Sequence, residues 1–123
     1  MMQVEVMDWN SQAIEATLDG TLFYLVLNWN ESARYWVLGI RNSAYRLMIS
    51  GISLVTNYPL LYQFRYADMP AGDLFVANAN LQTGPVDRDA FTSGRNLLVY
   101  MTEQEFLERG WLDLWGRTSA SAV

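Results

Sequence analysis

Asp87-Arg88-Asp89 is the one run of three consecutive charged residues in the 123-residue sequence, and its two carboxylates could supply oxygen ligands to a calcium ion. Calcium takes six or more oxygen ligands, and two carboxylates in a loop fall far short of that number. The pattern therefore favours a solvated turn over a metal site. The three residues are also candidates for a contact with another protein.

Three tryptophans, Trp9, Trp29 and Trp36, form the second set of side chains with a chemistry of their own. Aromatic residues make up 14% of the chain, enough to build a ring-stacking surface for a sugar. Trp29 and Trp36, however, fall inside alternating apolar segments, so core filling is the favoured interpretation. A small aromatic-rich β binding module for a glycan or a peptide is the alternative function.

The sequence lacks the side chains that most often carry out catalysis. There is no cysteine and no histidine, which removes thiolate ligands, the commonest metal ligand and the commonest general base. The serines have no histidine or lysine to activate them, and neither a glycine-rich phosphate loop nor a nucleophile elbow is present. We therefore expect no enzyme activity, no cofactor, no bound metal and no small-molecule substrate.

The charge balance argues against nucleic-acid binding. The formal net charge is −5, and all eight basic residues are arginines scattered along the chain. Phosphate binding normally requires a basic face, so an oligonucleotide-binding barrel is only a third candidate. Arginine without lysine instead favours protein contacts, because guanidinium groups pair bidentately and stack on rings. No apolar run approaches the ~20 residues of a membrane helix, so we expect no membrane contact.

The elements that must position these residues begin with the segment 17–41. Asp19-Gly20 lies between two alternating apolar runs and predicts a two-residue hairpin turn. The strand after this turn carries apolar side chains on both faces, which predicts an inner strand. A second reversal at 30–33 and a third strand at 35–41 complete a three-stranded meander.

Further strands and one helix are predicted along the rest of the chain. The strand segments are 3–9 (a short first strand or an arm), 45–49, 52–55, 74–77 and 97–101, with a break or bulge at Ser50-Gly51. Thr102 and Glu105 form a capping box, which predicts a helix over 102–109. Residues 78–96 are the least regular part, and loops of that length tend to be functional or mobile.

Together these elements predict a mostly-β fold. It is a small antiparallel barrel or sandwich of about six to eight strands that starts with a meander and ends in a short C-terminal helix. Residues 1–110 are expected to form a single β domain, with 102–109 as its capping helix. Residues 111–123 are expected to form an apolar, tryptophan-containing tail that ends in a flexible terminus.

The apolar tail is the strongest candidate for a contact surface. Trp111, Leu112, Leu114 and Trp115 closely follow the predicted helix and are too apolar to be left in water. Either they fold back onto the sheet or they anchor a partner, and the sequence supports both interpretations equally. Tryptophan is over-represented among the residues that dominate binding energy at interfaces.

A series of short motifs follows one another in a defined order between residues 18 and 100. The motifs are Leu18-Asp19-Gly20, Tyr24-Leu25, Leu27-Asn28-Trp29-Asn30, Trp36, Leu38, Ile40, Gly51-Ile52-Ser53-Leu54-Val55, Leu60-Leu61, Arg65-Tyr66, Pro70, Gly72, Leu74 and Leu97-Leu98-Val99-Tyr100. In order and spacing this series resembles the phage baseplate plug family, known from a cyanophage with a contractile tail. The turn before the fourth strand departs from the family, because it reads Asn42-Ser43-Ala44-Tyr45 where members tend to have an Asp and a Gly. The chain also continues well past the strand at which members commonly end.

The resemblance implies a structural component of the virion, made in the cytoplasm of the host bacterium and built into the tail baseplate. Its expected position is a plug or hub protein at the junction of tail tube and spike. The implied partners are hub, tail tube and spike proteins, together with further copies of the chain around the tail axis. Members of the family are small tail proteins without catalytic activity, so the resemblance transfers no active-site residues.

Overall fold

The structure is a computed structural model that describes residues 2–62, 64, 68–79 and 83–109. Its described part contains seven strands and one short helix. They are β1 (Met2–Val4), β2 (Ser11–Leu18), β3 (Thr21–Asn30), β4 (Tyr35–Arg41), β5 (Leu47–Ser53), β6 (Asp73–Asn78), β7 (Asn96–Met101) and α1 (Glu103–Arg109). The mostly-β prediction is confirmed, and two antiparallel sheets form a sandwich-like arrangement instead of closing into a barrel.

The larger sheet has the strand order β2-β3-β4-β5, so each strand pairs with the next one along the chain. Asp19 and Gly20 form the predicted turn between β2 and β3, with φ angles of 51° and 81°, and Leu18 pairs with Thr21 across it. Positive φ at both central positions is what a type I′ hairpin requires. The predicted inner strand is confirmed as β3, which lies between β2 and β4.

The turn between β4 and β5 is longer than predicted, and β5 begins at Leu47 instead of at Tyr45. Tyr45 has a φ of 63°, which places it in the turn. The side-chain oxygen of Asn42 accepts from the N–H groups of Ala44 and Arg46. Asparagine side chains commonly form such local turns, so Asn42 organises this reversal.

The predicted bulge in β5 is confirmed at Gly51. This residue has a φ of 81°, and the pairing of β4 with β5 shifts register between Leu38 and Ile40. A bulge bends its strand and increases the local twist. The outer edge of β5 is therefore irregular.

The smaller sheet has the strand order β1-β7-β6, and its pairs are antiparallel. Between β5 and β6 the chain passes along the outer edge of β6. Thr56 forms a parallel bridge with Val76 there, and the Leu60 N–H donates to the Leu74 carbonyl at 2.9 Å. These contacts cover part of the edge of β6.

One apolar core joins the two sheets. Alternate residues of β3 and β4 face alternate residues of β6 and β7. The fully buried members include Leu25, Leu27, Trp36, Leu38, Ile40, Leu74, Val76, Leu98 and Tyr100. Burial of one such aliphatic side chain contributes roughly 1.5–3 kcal/mol, so this core is the main force that holds the sheets together.

Helix α1 starts with the predicted capping box. The Glu105 N–H donates to the Thr102 hydroxyl at 3.2 Å, and the Thr102 N–H donates to the Glu105 carboxylate at 3.0 Å. The Glu103 N–H donates to the Asp19 carboxylate at 3.0 Å, so one cap comes from a distant part of the chain. A helix of about two turns depends on such contacts, because an isolated helix of that length is unstable in water.

The closed end of the sandwich, as we call it, comprises Asp19, Gly72, Tyr100 and Glu103. The Tyr100 hydroxyl donates to the Asp19 carboxylate at 2.5 Å and accepts from the Gly72 N–H at 2.7 Å. A Cβ atom at Gly72 would overlap the Met101 carbonyl oxygen. The closed end therefore joins the β2–β3 turn, the approach to β6 and the start of α1 with no spare space.

Candidate interaction surface

Trp36 on β4 lies toward the opposite end of the sandwich and organises the region around it. It is only 1% exposed, and its ring packs edge-on against Trp29 and Phe91, with centroids 5.4 Å and 6.0 Å apart. Its indole N–H donates to the Asp87 carbonyl at 3.0 Å. Trp29 is buried as well. The interpretation of both tryptophans as core residues is therefore confirmed.

Arg88 ties the loop before β7 to the segment before β2. Its guanidinium carbon lies 5.4 Å from the centroid of the Trp36 ring. The same group donates to the Asp8 carboxylate at 2.9 Å and to the Asn10 side-chain oxygen at 2.6 Å. A cation–π contact and a charge-assisted hydrogen bond thus act together. We call this cluster of Asp8, Asn10, Trp36, Asp87 and Arg88 the open end.

The two carboxylates that flank Arg88 are exposed and face Arg95. The Arg95 guanidinium lies 2.7 Å from the Asp89 carboxylate and 3.8 Å from the Asp87 carboxylate. The hydrogen bond from Arg95 lowers the pKa of Asp89, and the charge of Arg95 adds to this effect. No group of three or more His, Cys, Asp or Glu side chains that could hold a metal occurs among the described residues. The loop thus carries ion pairs.

The segment between β1 and β2 forms an arm, which we define as residues 5–10. The predicted strand 3–9 is shorter than its alternation indicated, because β1 ends at Val4. The buried Gln12 side chain accepts from the Met7 N–H and donates to the Met7 carbonyl, each at 2.9 Å. The side-chain amide of Gln12 thus forms the two hydrogen bonds with Met7 that the backbone of a neighbouring strand would otherwise form. One side chain therefore anchors the arm to the start of β2.

The arm presents two large apolar side chains to solvent. Met7 is 47% exposed and Trp9 is 58% exposed. Met7 also lines a groove of about 320 Å³, to which residues 5–8 of the arm, Phe91 and Leu97 contribute. We define the arm surface as Met7, Trp9 and this groove. Exposed tryptophan and methionine next to a groove are typical of a protein contact.

The sequence pattern singled out Trp9 as one of a set of three tryptophans but did not predict the arm surface as a whole, although one further signal for it was present. Gln12 is a polar residue on the inward face of β2, between the arm and the apolar positions Ile14 and Ala16. A buried polar side chain must find hydrogen-bond partners. Its position therefore indicated that a backbone segment crosses the start of β2, but not which segment.

A second exposed aromatic group lies on the outer face of the larger sheet. The Tyr45 ring packs edge-on against Tyr24 at 5.0 Å, and the Arg41 guanidinium lies 4.7 Å from the Tyr45 centroid. Arg41 also donates to the Tyr45 carbonyl at 3.0 Å. This ring is held in place from two sides, so it offers a preformed contact rather than a loose one.

The predicted interface residues divide between described and undescribed parts of the chain. Asp87, Arg88 and Asp89 lie at or beside the open end, whereas Trp111, Leu112, Leu114 and Trp115 lie outside the described residues. The helix that precedes the latter group, α1, begins at the closed end.

In the described part of the chain, no helix has the length and apolar character needed to cross a bilayer.

Comparison with known proteins identifies one family. The sequence model of the family described as cyanophage baseplate Pam3 plug gp18 matches residues 1–103 of this chain. The matched part contains all seven described strands and ends at the first residue of α1. A search among curated proteins returns no match.

Proposed function

The chain belongs to the cyanophage baseplate plug family, and from this membership we propose that it forms the plug at the junction of the tail tube and the spike. Membership makes it a structural protein of the phage tail baseplate, and hence a component of the virion. The family match over residues 1–103 is the observation that carries the proposal. Synthesis takes place in the cytoplasm of the host bacterium, before the tail assembles.

A plug in this position contacts hub, tail tube and spike proteins, and several copies form a homo-oligomer around the tail axis. The two ends of the sandwich suit this role because they differ. The open end carries the arm surface, and the closed end carries the start of α1, after which the tail follows in sequence. A subunit between two unlike neighbours requires two unlike contact regions.

The tail residues are the proposed anchors for a neighbouring protein. Residues 1–110 act as a single β domain, and residues 111–123 act as its contact segment. The proposed anchoring side chains are Trp111, Leu112, Leu114 and Trp115. Asp87 and Asp89 add exposed acidic contacts at or beside the open end, whereas Arg88 serves mainly to hold its own chain together.

The proposed role involves no catalysis, cofactor, nucleic acid, membrane or small-molecule substrate. The absence of histidine and cysteine from the sequence supports this view. A glycan-binding module is less well supported, because the burial of Trp29 and Trp36 leaves Trp9 as the one exposed member of that set. A single ring offers a small stacking surface for a sugar.

Tail incorporation of the double variant Trp111→Ala/Trp115→Ala tests the proposed anchors. We expect assembled tails to lack the variant, because two large apolar contacts are lost from the interface. The thermal midpoint of the purified variant should match that of the unchanged protein. Incorporation is measured by mass spectrometry of purified tails, and the midpoint by circular dichroism.

Tyr62→Ala is the control, because Tyr62 is a 59% exposed aromatic residue that does not belong to the tail segment 111–123. This variant should enter tails normally. A large loss of thermal stability in the double tryptophan variant would instead assign Trp111 and Trp115 to the core. Normal incorporation of a stable double variant would also contradict the anchoring role.

A further inference from the structure

Sheet edges with unpaired backbone groups invite pairing with another chain, and proteins usually protect them. Three of the four edges in the described part of this fold are protected. β1 is only three residues long, β5 is bulged at Gly51, and β6 is partly covered by Thr56 and Leu60. Only the outer edge of β2 has none of these protections.

β2 is an eight-residue strand of sequence SQAIEATL, without proline, glycine or a basic residue. Its even-numbered residues bond to β3, as the Asn10 carbonyl does to the Trp29 N–H at 2.7 Å. The backbone groups of the odd-numbered residues therefore point to the open side. These residues are Ser11, Ala13, Glu15 and Thr17, and their backbone groups have no partner within the described part of the chain.

Ile14 marks the centre of this edge as incompletely packed. Its neighbours on the inward face of β2, Gln12, Ala16 and Leu18, are all buried. Ile14 is only half-buried, although it packs against the core. A further strand along the edge would cover this side chain and pair the exposed backbone groups in the same step.

We propose that β2 pairs antiparallel with β2 of a second copy of this chain, with Ile14 opposite Ile14 across a twofold axis. The two larger sheets then continue into one sheet across the pair. The contact is isologous and closes on itself, which is the commonest arrangement in homo-oligomers. This inference goes beyond the proposed function, because it concerns the free protein. The twofold axis sets the open end of one copy beside the closed end of the other, so the pair must separate before the copies align around the tail axis.

The register of the β2–β2 pair follows from which backbone groups point outward and from the charge of Glu15. Outward-pointing residues must face one another, so Ala13 lies opposite Glu15 and Ser11 lies opposite Thr17. A shift that centres the axis on Glu15 would place two carboxylates opposite each other, which is unfavourable. A shift that centres it on Ala13 would shorten the paired region. Four outward residues in each copy allow about eight inter-chain hydrogen bonds in the chosen register.

Ile14→Cys provides a direct test, because the 123-residue chain contains no cysteine of its own. Facing residues of a non-hydrogen-bonded antiparallel pair have Cβ atoms roughly 4.5–5.5 Å apart, close to the separation in a disulfide. Under mild oxidation we expect a covalent dimer. Thr17→Cys on the same strand is the matched control, because its partner in this register is Ser11. It should form no covalent dimer in the time that Ile14→Cys needs, because the two Thr17 positions lie beyond the reach of a disulfide in this register.

Sedimentation of the unmodified chain and of Ala13→Pro completes the test. Proline at residue 13 removes an N–H that β3 does not use, and edge strands tolerate such a change. At about 100 µM protein we expect a dimer for the unmodified chain and a folded monomer for Ala13→Pro, with unchanged circular dichroism.

Several results would overturn the pairing. They are a monomeric unmodified chain, a dimer that survives Ala13→Pro, or equal cross-linking of the two cysteine variants. A monomer whose Ala13, Glu15 and Thr17 amides resist hydrogen exchange would mean that the edge is covered within one chain, which also contradicts the proposal. None of these measurements involves a tail protein, so failure here is separate from failure of the plug role.

Discussion

The closed end and the open end join the same two sheets by different chemistry. At the closed end, the buried Tyr100 links the Asp19 carboxylate to the backbone at Gly72. At the open end, the guanidinium of Arg88 reaches from a loop to Trp36 and Asp8 near the surface. The first uses close packing and backbone donors, and the second uses one long, flexible side chain.

This difference separates a region that sets the fold from a region that can adapt to a partner. Buried hydrogen bonds with no spare space tolerate little movement. The Asp8 partner of Arg88 is 74% exposed, and such a surface ion pair separates at a low free-energy cost. The arm surface lies beside the open end, where adjustment on binding disturbs the core least.

Gly72→Ala should have the largest effect on stability and breaks the closed end directly. The new Cβ would overlap the Met101 carbonyl oxygen and crowd the Tyr100 hydroxyl, so the backbone must move. We expect a loss of about 3 kcal/mol or more in the free energy of unfolding, measured by urea denaturation. Gly84→Ala is the control, because among the described residues its Cβ meets only the Thr56 hydroxyl, at 3.9 Å. Equal losses for the two variants would contradict the close packing of the closed end.

Asp19→Ala should cause the second-largest loss in the free energy of unfolding. It removes the acceptor for the Tyr100 hydroxyl and for the Glu103 N–H, and we expect a loss of roughly 1–3 kcal/mol in urea denaturation. Asp19→Asn keeps a side-chain oxygen and suits the positive φ of the turn, so its loss should be clearly smaller. Equal losses for the two variants would mean that the negative charge of Asp19 is what matters, and that neither its acceptor oxygen nor the turn geometry explains the loss.

Arg88→Ala should have a smaller effect on global stability and a local effect on the arm. Loss of the contacts with Trp36, Asp8 and Asn10 should cost about 1 kcal/mol and speed hydrogen exchange in residues 5–10. Arg34→Ala is the matched control, because Arg34 lies 5.5 Å from the Trp29 centroid but is more exposed. Unchanged exchange in the arm of Arg88→Ala would contradict the role of Arg88 as its tie.

The smallest effect on stability is expected for Glu31, and it depends on pH. Hydrogen bonds from the Trp29 indole N–H and from Arg34 lower the pKa of Glu31 below its ordinary value of 4.5. The stabilisation is therefore fully present above pH 4.5 and is lost as the pH falls through the lowered pKa. The stability difference between the unchanged protein and Glu31→Gln should shrink over that range in thermal melts. A difference that grows on acidification would contradict this sign.

The larger sheet was predictable because its signals are local. Asp19-Gly20 selects the hairpin, and the alternation on both faces of β3 requires a strand on each side. Thr102 and Glu105 cap α1 within one turn. Each of these features depends on residues that are neighbours in sequence or at a fixed strand period, so the pattern alone predicts them.

The candidate surface was less predictable because its contacts are distant in sequence. Arg88 appeared as part of a charged turn, yet its hydrogen-bond partners Asp8 and Asn10 lie 80 and 78 residues away. The tie from Tyr100 to Asp19 spans 81 residues. No periodicity encodes such pairs, because they form only when the packing of the two sheets brings the loops together.

The sequence by itself determined the meander of β2, β3 and β4, the turn at Asp19-Gly20, the helix cap and the resemblance to the plug family. Periodicity and turn chemistry act over a few residues, so they need no knowledge of the rest of the chain. The tertiary structure alone decided that Trp36 supports Arg88, that Gln12 anchors the arm and that β2 has an open edge. These outcomes depend on which elements lie side by side, and burial of the shared core is the force that decides it.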